Sequence, residues 1–357
     1  LDNLEYHLLG NHLLENGFSL LFGAYYFKDD ALYLKAKNII EEEIEEQILK
    51  DGAHFELSPM YHQIILDRIL DCIYLVKENA WKENLELLNL MKLKATQMMS
   101  WLNEVTFKDG LIPMVNDSTF GIAPETSSLL EYGENLKIIP RKIQLSASGY
   151  RKFTYDSYEL FTDVGEVGPS YQPGHAHADT LSFLLNTDKP FIVDTGLSTY
   201  NIGNVREEER STIYHNTVTI DDENSSKVWA GFRVANRAYV TIEKDRDNEL
   251  VASHNGYKNK GIKHTRSFKV NTSEILINDF INKDLEAHAH FHFHPDCKIK
   301  LNLSKKEVKF NDITITFDGF NELKKSTYQY AQGFNNKLEA DKIIVSFIYS
   351  LETKIKI

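Results

Sequence analysis

Residues 172–183 read QPGHAHADTLSF: a Pro-Gly turn, then His175, His177 and Asp179 at every second position, then the start of an apolar run. In an extended chain alternate side chains point to the same side, so the spacing predicts a strand with these polar groups on one face. The residue types admit three readings: metal ligands, an acid/base pair, or the polar edge of an ordinary strand. The stretch also lies beyond a change of period, and that change decides the fold class.

Upstream, the apolar residues recur at helical spacing. Leu32, Ala36, Ile39, Ile40, Ile44 and Ile48 mark one face, and Ile65, Ile69, Cys72, Ile73 and Val76 mark another. Ser58-Pro59 supplies an N-cap and an N1 proline for the second run. Residues 83–105 form a third long candidate, and the acidic run Glu41–Glu46 reads as a solvated helix face. Successive amphipathic helices with short breaks predict helical hairpins packed side by side. From about residue 145 the period is two. Tyr158–Thr162, Thr180–Leu185, Phe191–Asp194, Thr217–Ile220, Ile313–Phe317 and Ile343–Ile348 are candidate strands between Gly, Asn and Asp clusters, as in an antiparallel sandwich. The expected boundary lies around Gly133–Pro140, giving a helical domain over 1–135 and a β domain over 136–357, an α+β multidomain chain.

The 357 residues suffice for two such domains, and 42% apolar with 26% charged residues is ordinary globular composition. No apolar run reaches the length of a membrane span. The net charge of −12 argues against nucleic acid as a partner and requires that any positive field for an acidic substrate be local to the site. Arg151, Arg206, Arg210 and Arg233 are candidates for that field. Cys72 and Cys297 lie far apart and indicate no disulfide framework. The chain starts at Leu1 in what reads as a helical region, so a missing N-terminal portion is expected, and any leader would have gone with it.

Several further residues carry candidate chemistry. Asp194 ends the buried-looking run Phe191-Ile192-Val193-Asp194 and needs a partner there. His215 opens a strand, and two histidines with an aspartate from neighbouring strands make a plausible zinc site. In the helical half, Asn11 and Glu15 share a helix face, while His12 and Glu15 are three apart. Tyr61 occupies the first turn of a helix, where the helix dipole eases ionisation of a phenol. His288, His290, His292 and His294 alternate along one strand. Four imidazoles in line do not make a tetrahedral site, so a solvent-facing or cleft-lining face is expected.

Taken together the motifs resemble the heparinase II/III family of polysaccharide lyases and, through it, the related alginate lyases. The resemblance rests on Asn11-His12-Leu13-Leu14-Glu15-Asn16-Gly17, Glu56-Leu57-Ser58-Pro59-Met60-Tyr61-His62, Gly174-His175-Ala176-His177-Ala178-Asp179, Val193-Asp194-Thr195-Gly196 and His215-Asn216-Thr217. It implies an incomplete (α/α) toroid followed by an antiparallel β-sandwich, with this chain as the C-terminal portion of such a protein and a cleft between the domains. It implies that Asn11 and His12 neutralise a uronate carboxylate, that Tyr61 is the acid and also a candidate base, and that His175 is the second acid/base group. His177, Asp194 and His215 would hold one structural metal ion, zinc before other divalent metals, with Asp179 a supporting hydrogen-bond partner. Glu15, Asp117 and Arg210 are expected to support the site or contact substrate. The implied partner is an anionic polysaccharide or oligosaccharide, cleaved by β-elimination to unsaturated uronate ends. A glycan-binding or capsule-assembly protein without turnover is the alternative, and a metal-dependent hydrolase or oxygenase the third reading. The implied location is periplasmic or secreted, with the cytoplasm left open, and the oligomeric state is undetermined.

Overall fold

The computed structural model describes residues 3–8 and 10–357. Five helices make the first unit: α1 (Asn11–Phe27), α2 (Asp30–Gln47), α3 (Pro59–Glu78), α4 (Leu85–Val105) and α5 (Thr126–Asn135). The α1–α2 hairpin turns through Lys28 in the left-handed region, and Asp29 caps α2 by accepting from the backbone N–H of Ala31 and Leu32. Leu14, Phe18 and Leu21 of α1 and Ile39, Ile40 and Ile44 of α2 are buried, and the two helices pack against each other. Gly17 permits that approach, because a Cβ there would come 2.9 Å from Ile39. Ser58 caps α3 as its sequence position predicts, and Pro59 opens it. Glu41, Glu42, Glu45 and Glu46 keep some or most of their surface in water. Glu43 departs from the expected solvated run: it is buried and accepts a 2.7 Å bond from Gln47.

The second unit is antiparallel β. A four-stranded sheet runs Tyr150–Thr154, Glu159–Asp163, Phe183–Asn186, Pro190–Ile192 in that spatial order. A larger sheet centres on two 21-residue strands, Ile313–Gly333 and Asn336–Lys356, paired with each other. The second of these serves two further neighbours in succession: Glu286–His292 along its first half and Glu274–Ile281 along its last residues. Tyr349 takes a positive φ where the neighbour changes. Opposite it, Gly319 (φ 83°) sits where a Cβ would come 2.7 Å from the Ser350 carbonyl, so glycine is required. Leu160, Phe183, Leu185 and Phe191 of the small sheet share one core with Phe268, Ile277, Phe291, Val345 and Phe347 of the large one, as in a sandwich.

The units are Leu1–Ile112 with Gly121–Ser148 and Pro169–Gln172, and Pro113–Phe120 with Gly149–Gly168 and Pro173–Ile357. The division therefore falls after Ser148 rather than after residue 135. Residues 136–148 stay with the helices because the Asp51 carboxylate accepts from Ser146 N, Ser148 N and Ser148 Oγ, and Arg141 N donates to Ser100 Oγ. Composition hides such ties, because the segment lacks the helical period. Both cysteines are buried free thiols. No helix among the described residues is long and apolar enough to cross a membrane.

Candidate active site

In the helical unit, α1 starts at Gly10 (φ 62°), whose conformation and tight surroundings both favour glycine. A Cβ on Gly10 would meet Glu56 at 3.2 Å. The Gly10 carbonyl accepts a 2.7 Å bond from the buried Gln47 side chain, and Gln47 Oε1 pairs with His54 Nε2 at 2.9 Å. His54 Nδ1 lies 3.8 Å from Glu56, both side chains being buried. This polar knot fixes the first turn of α1 and hence Asn11, which is half-buried, and His12, which is exposed. His12 Nδ1 lies 3.7 Å from Glu5, while Glu15 lies 3.9 Å from Arg68. Glu5 is thus a carboxylate within ion-pair reach of His12, and His12 also acts on the charge of Glu15. Burial, opposed by Arg68, raises the pKa of Glu15.

Tyr61 stands half-buried in the first turn of α3, its N–H capped by Ser58 Oγ at 3.2 Å. The next residue, His62, is wholly enclosed. Its Nε2 donates to the Met98 carbonyl at 3.0 Å and its Nδ1 accepts from His54 N–H at 3.1 Å. Burial depresses its pKa to about 3, which keeps the ring neutral.

In the β unit, the alternating histidines share one carboxylate. Asp117 Oδ2 lies 2.8 Å from His175 Nδ1, and Asp117 Oδ1 lies 2.8 Å from His177 Nε2. The Arg206 guanidinium clamps the same two oxygens, with Nη2–Oδ2 at 2.6 Å. Burial acts to raise the pKa of Asp117, but Arg206 and the two histidines overcome it and hold the carboxyl well below its usual range. His175 keeps 14% of its side-chain surface in solvent, whereas His177 has none. Burial also depresses the pKa of His177 to about 4. One anion thus orients one accessible and one buried imidazole.

Behind them, His215 Nδ1 donates to Asp194 Oδ2 at 2.7 Å, and Asp194 Oδ1 accepts from Gly196 N–H. Burial works to lower the pKa of His215, yet Asp194 carries it above the ordinary value. The His177 and His215 rings are 5.2 Å apart, and His177 Nδ1 and His215 Nε2 are buried without a hydrogen-bond partner. Asp179 is buried too; burial and Asp194 raise its pKa, and those of its neighbour Asp163 by burial and by Asp179. Among the described residues no three His, Cys, Asp or Glu side chains stand in the geometry of a metal cage. Two orphaned imidazole nitrogens amid buried carboxylates nevertheless have the donor chemistry that suits zinc.

Four expectations change. Asp117 is fully buried and engaged on both oxygens, so it positions His175 instead of meeting substrate. Arg210 is also buried, its guanidinium donating to the carbonyls of Ala176, Gly231 and Arg233, which shapes the irregular histidine segment from behind. Of the four candidate sources of positive field, Arg206 and Arg210 are enclosed and Arg151 is paired with Asp245 at 2.8 Å, leaving Arg233 exposed. On the strand Glu286–His292, His290 and His292 are buried rather than solvent-facing, because His290 Nε2 pairs with Thr219 Oγ1 at 2.9 Å and the His292 ring packs 4.8 Å from that of Tyr328; of the four, only His288 and the following His294 retain exposure. His292 N–H bonds to Asn216 Oδ1, while Asn216 Nδ2 reaches the carbonyls of Phe183 and Val193, so Asn216 ties three strand segments together. Sequence reading missed Gln47, His54 and the Arg206–Asp117 pair as supports, because their partners lie far along the chain.

This arrangement agrees with profile comparisons of the whole chain. Residues 3–145 match the heparinase II/III N-terminus, and residues 140–357 match the heparinase II/III-like C-terminal domain. The chain belongs to the heparinase II/III-like family. It is 25% identical over 308 residues to a heparin-sulfate lyase of Bacteroides stercoris, covering 77% of this chain and 44% of that protein. A heparinase III structure superposes with a TM-score of 0.79 at 18% identity, covering 99% of this chain and 60% of the other. A mutant heparan sulfate lyase of Pedobacter heparinus gives 0.77 at 18% identity, with 98% and 60% covered. The chain therefore spans well under two thirds of the length of these relatives.

Proposed function

We propose that the protein is a polysaccharide lyase acting on a uronic-acid-containing glycan. The observation that carries this reading is His175, an accessible imidazole held through Nδ1 by the buried Asp117–Arg206 pair. Such a group is oriented before substrate arrives, as acid/base catalysis requires. In the proposed reaction a base takes the C5 proton of a uronate, and the electron pair of that C5–H bond delocalises into the carboxylate. That pair then forms the C4=C5 double bond as the C4–O bond breaks; the C–O pair leaves with the oxygen, which takes a proton from the acid. Charge builds on the C5 carboxylate as the proton leaves, and the Asn11 amide and His12 imidazole are the groups assigned to stabilise it. Tyr61 is assigned as the acid, and as a base if its phenolate forms; His175 is the second proton-transfer group. Glu15 is the remaining candidate for substrate contact.

We assign His177, Asp194 and His215 as holders of one zinc ion, supported by the orphaned Nδ1 and Nε2 atoms. Such an ion would supply fixed positive charge among the buried carboxylates. Elemental analysis and melting with and without a chelator test this apart from turnover: unchanged melting and no bound metal would remove the assignment. A polymeric acidic substrate also favours a periplasmic or secreted location over the cytoplasm, which cell fractionation would decide.

The decisive assay incubates the protein with heparan sulfate, hyaluronan, alginate and chondroitin sulfate. Ultraviolet-absorbing unsaturated uronate ends are expected from at least one. Cleavage to saturated reducing ends alone would sink the elimination, and binding without cleavage would favour the non-catalytic alternative.

A further inference from the structure

Beside His175 the β unit builds a second feature that the proposed chemistry does not use. The loop Ser198–Val205 and the residues Asn335 and Lys337 line a surface depression of about 710 Å³. That volume falls in the range of ordinary ligand pockets, about 300–1,000 Å³. Its polar lining consists of Ser198, Thr199, Asn201, Asn204, Asn335 and one cation, Lys337, while Ile202 is 73% exposed at its rim. The amide side chains of Asn201, Asn204 and Asn335 hydrogen-bond to no described residue. Lys337 Nζ sits 3.2 Å from Glu209, a buried carboxylate that also receives Ser198 N–H at 3.0 Å and the Ser198 hydroxyl. The ammonium is thus anchored at one side and retains 27% of its side-chain surface in solvent.

An aromatic platform connects this depression to His175. The Tyr200 ring, carried by the lining loop, is 6.2 Å from the His175 ring, stacks on Phe232 at 5.6 Å and meets Phe334 at 5.5 Å. Phe232 is itself 6.2 Å from His175 and is 41% exposed. The Arg206 guanidinium lies 5.1 Å from the Tyr200 centroid and 5.4 Å from that of Phe232. Arg206 is the residue that clamps Asp117, so one buried cation fixes both the imidazole and the aromatic faces beside it. A pyranose ring has an apolar C–H face and a polar rim. Rigid aromatic faces, unpaired amides and one lysine make the complementary set, and their rigidity lowers the cost of binding.

We propose that the depression between the Ser198–Val205 loop and Asn335–Lys337 is a saccharide subsite for a sugar unit flanking the one at His175, with Lys337 receiving that unit's carboxylate or sulfate. The assignment rests on the lyase reading for its substrate class, but its test reads binding. Titration calorimetry on the His175→Ala protein would use hexasaccharides of heparan sulfate, chondroitin sulfate, hyaluronan and alginate. At least one is expected to bind. Adding Lys337→Gln should weaken that binding about tenfold, the scale of one charge-assisted hydrogen bond. Lys337→Arg should keep Kd to within about twofold, because it retains the charge. Asn335→Ala, which leaves the Lys337–Glu209 pair in place, should weaken binding about threefold to tenfold. Circular dichroism would confirm folding of each variant, and Asn335→Ala decides the matter if Lys337→Gln does not fold. No binding of any of the four glycans, or an unchanged Kd in the folded variants, would overturn the subsite. Binding that responds to these changes, when the protein with His175 intact yields no unsaturated ends, would leave the subsite standing and remove the lyase chemistry.

Discussion

The helical unit and the β unit hold their candidate catalytic groups by different means. Asn11, His12 and Tyr61 sit in the first turns of helices, placed by local devices: Gly10 at the start of α1, and Ser58 with Pro59 at the start of α3. His175 sits on irregular chain and is placed by Asp117, 58 residues upstream, and by Arg206, which clamps that carboxylate from 89 residues away. A helix cap stabilises by about 1 kcal/mol, so its loss is tolerable. A buried charge that loses its partner costs about 3–5 kcal/mol, so the β-unit device is strong and brittle. Local placement leaves a group adjustable, whereas long-range buried charge makes its position depend on the whole unit.

That contrast can be broken first at Arg206. Arg206→Met should destabilise the protein by about 3–5 kcal/mol, because Asp117 is left buried between two imidazoles. Thermal unfolding measures the loss, and a change below 1 kcal/mol (about a tenth of a typical domain's stability) would mean that water or rearrangement replaces the clamp. Next comes Tyr61→Phe, which removes one hydroxyl from a half-buried ring. Turnover should drop about 100- to 10,000-fold, the usual range for one acid/base group, with melting nearly unchanged. Full activity in this variant would take Tyr61 out of the mechanism.

A third prediction uses His62. In the fold its Nδ1 accepts from His54 N–H, so adding a proton there would set two donors against each other. Burial holds its pKa at about 3, below the value near 6.5 that it regains on unfolding. Between those values the unfolded chain binds the extra proton, so stability falls as pH falls below about 6.5, by up to about 1.4 kcal/mol per pH unit from this group. Denaturant titrations from pH 7 to 5 would measure the slope. His62→Gln should flatten it while lowering stability at neutral pH, and an unchanged slope would show that other groups carry the acid sensitivity. The smallest effect is expected at Ser58→Ala, about 1 kcal/mol of stability from the lost cap of α3. If the helix start also steers Tyr61, KM or kcat should shift modestly in the same variant; a loss as large as that of Arg206→Met would erase the proposed contrast between the units.

Much of this was legible in the sequence, and for identifiable reasons. The period of Ile39, Ile40 and Ile44 locates α2, and Ser58-Pro59 marks the start of α3, because caps and apolar faces are set by neighbours within a turn or two. The alternation through His175 and His177 predicts a strand with both rings on one face; the segment is instead irregular chain, with His175 accessible and His177 enclosed. Nor did the alternation disclose Asp117 as their common partner: a lone Asp in a loop looks the same whether it meets water or a buried guanidinium. The histidine run through His290 and His292 misled for the same reason, since a polar alternating strand looks solvent-facing until other side chains cover its face.

By itself, then, the sequence determined the helical and β halves, the start of α3, and the residue types able to move a proton. Those are local properties, written in spacing along the chain. Which polar groups stay at the surface was decided only by the tertiary structure. Burial, ion pairing and the sharing of Asp117 by His175, His177 and Arg206 depend on residues brought together by packing, and their energies come from the water that packing excludes.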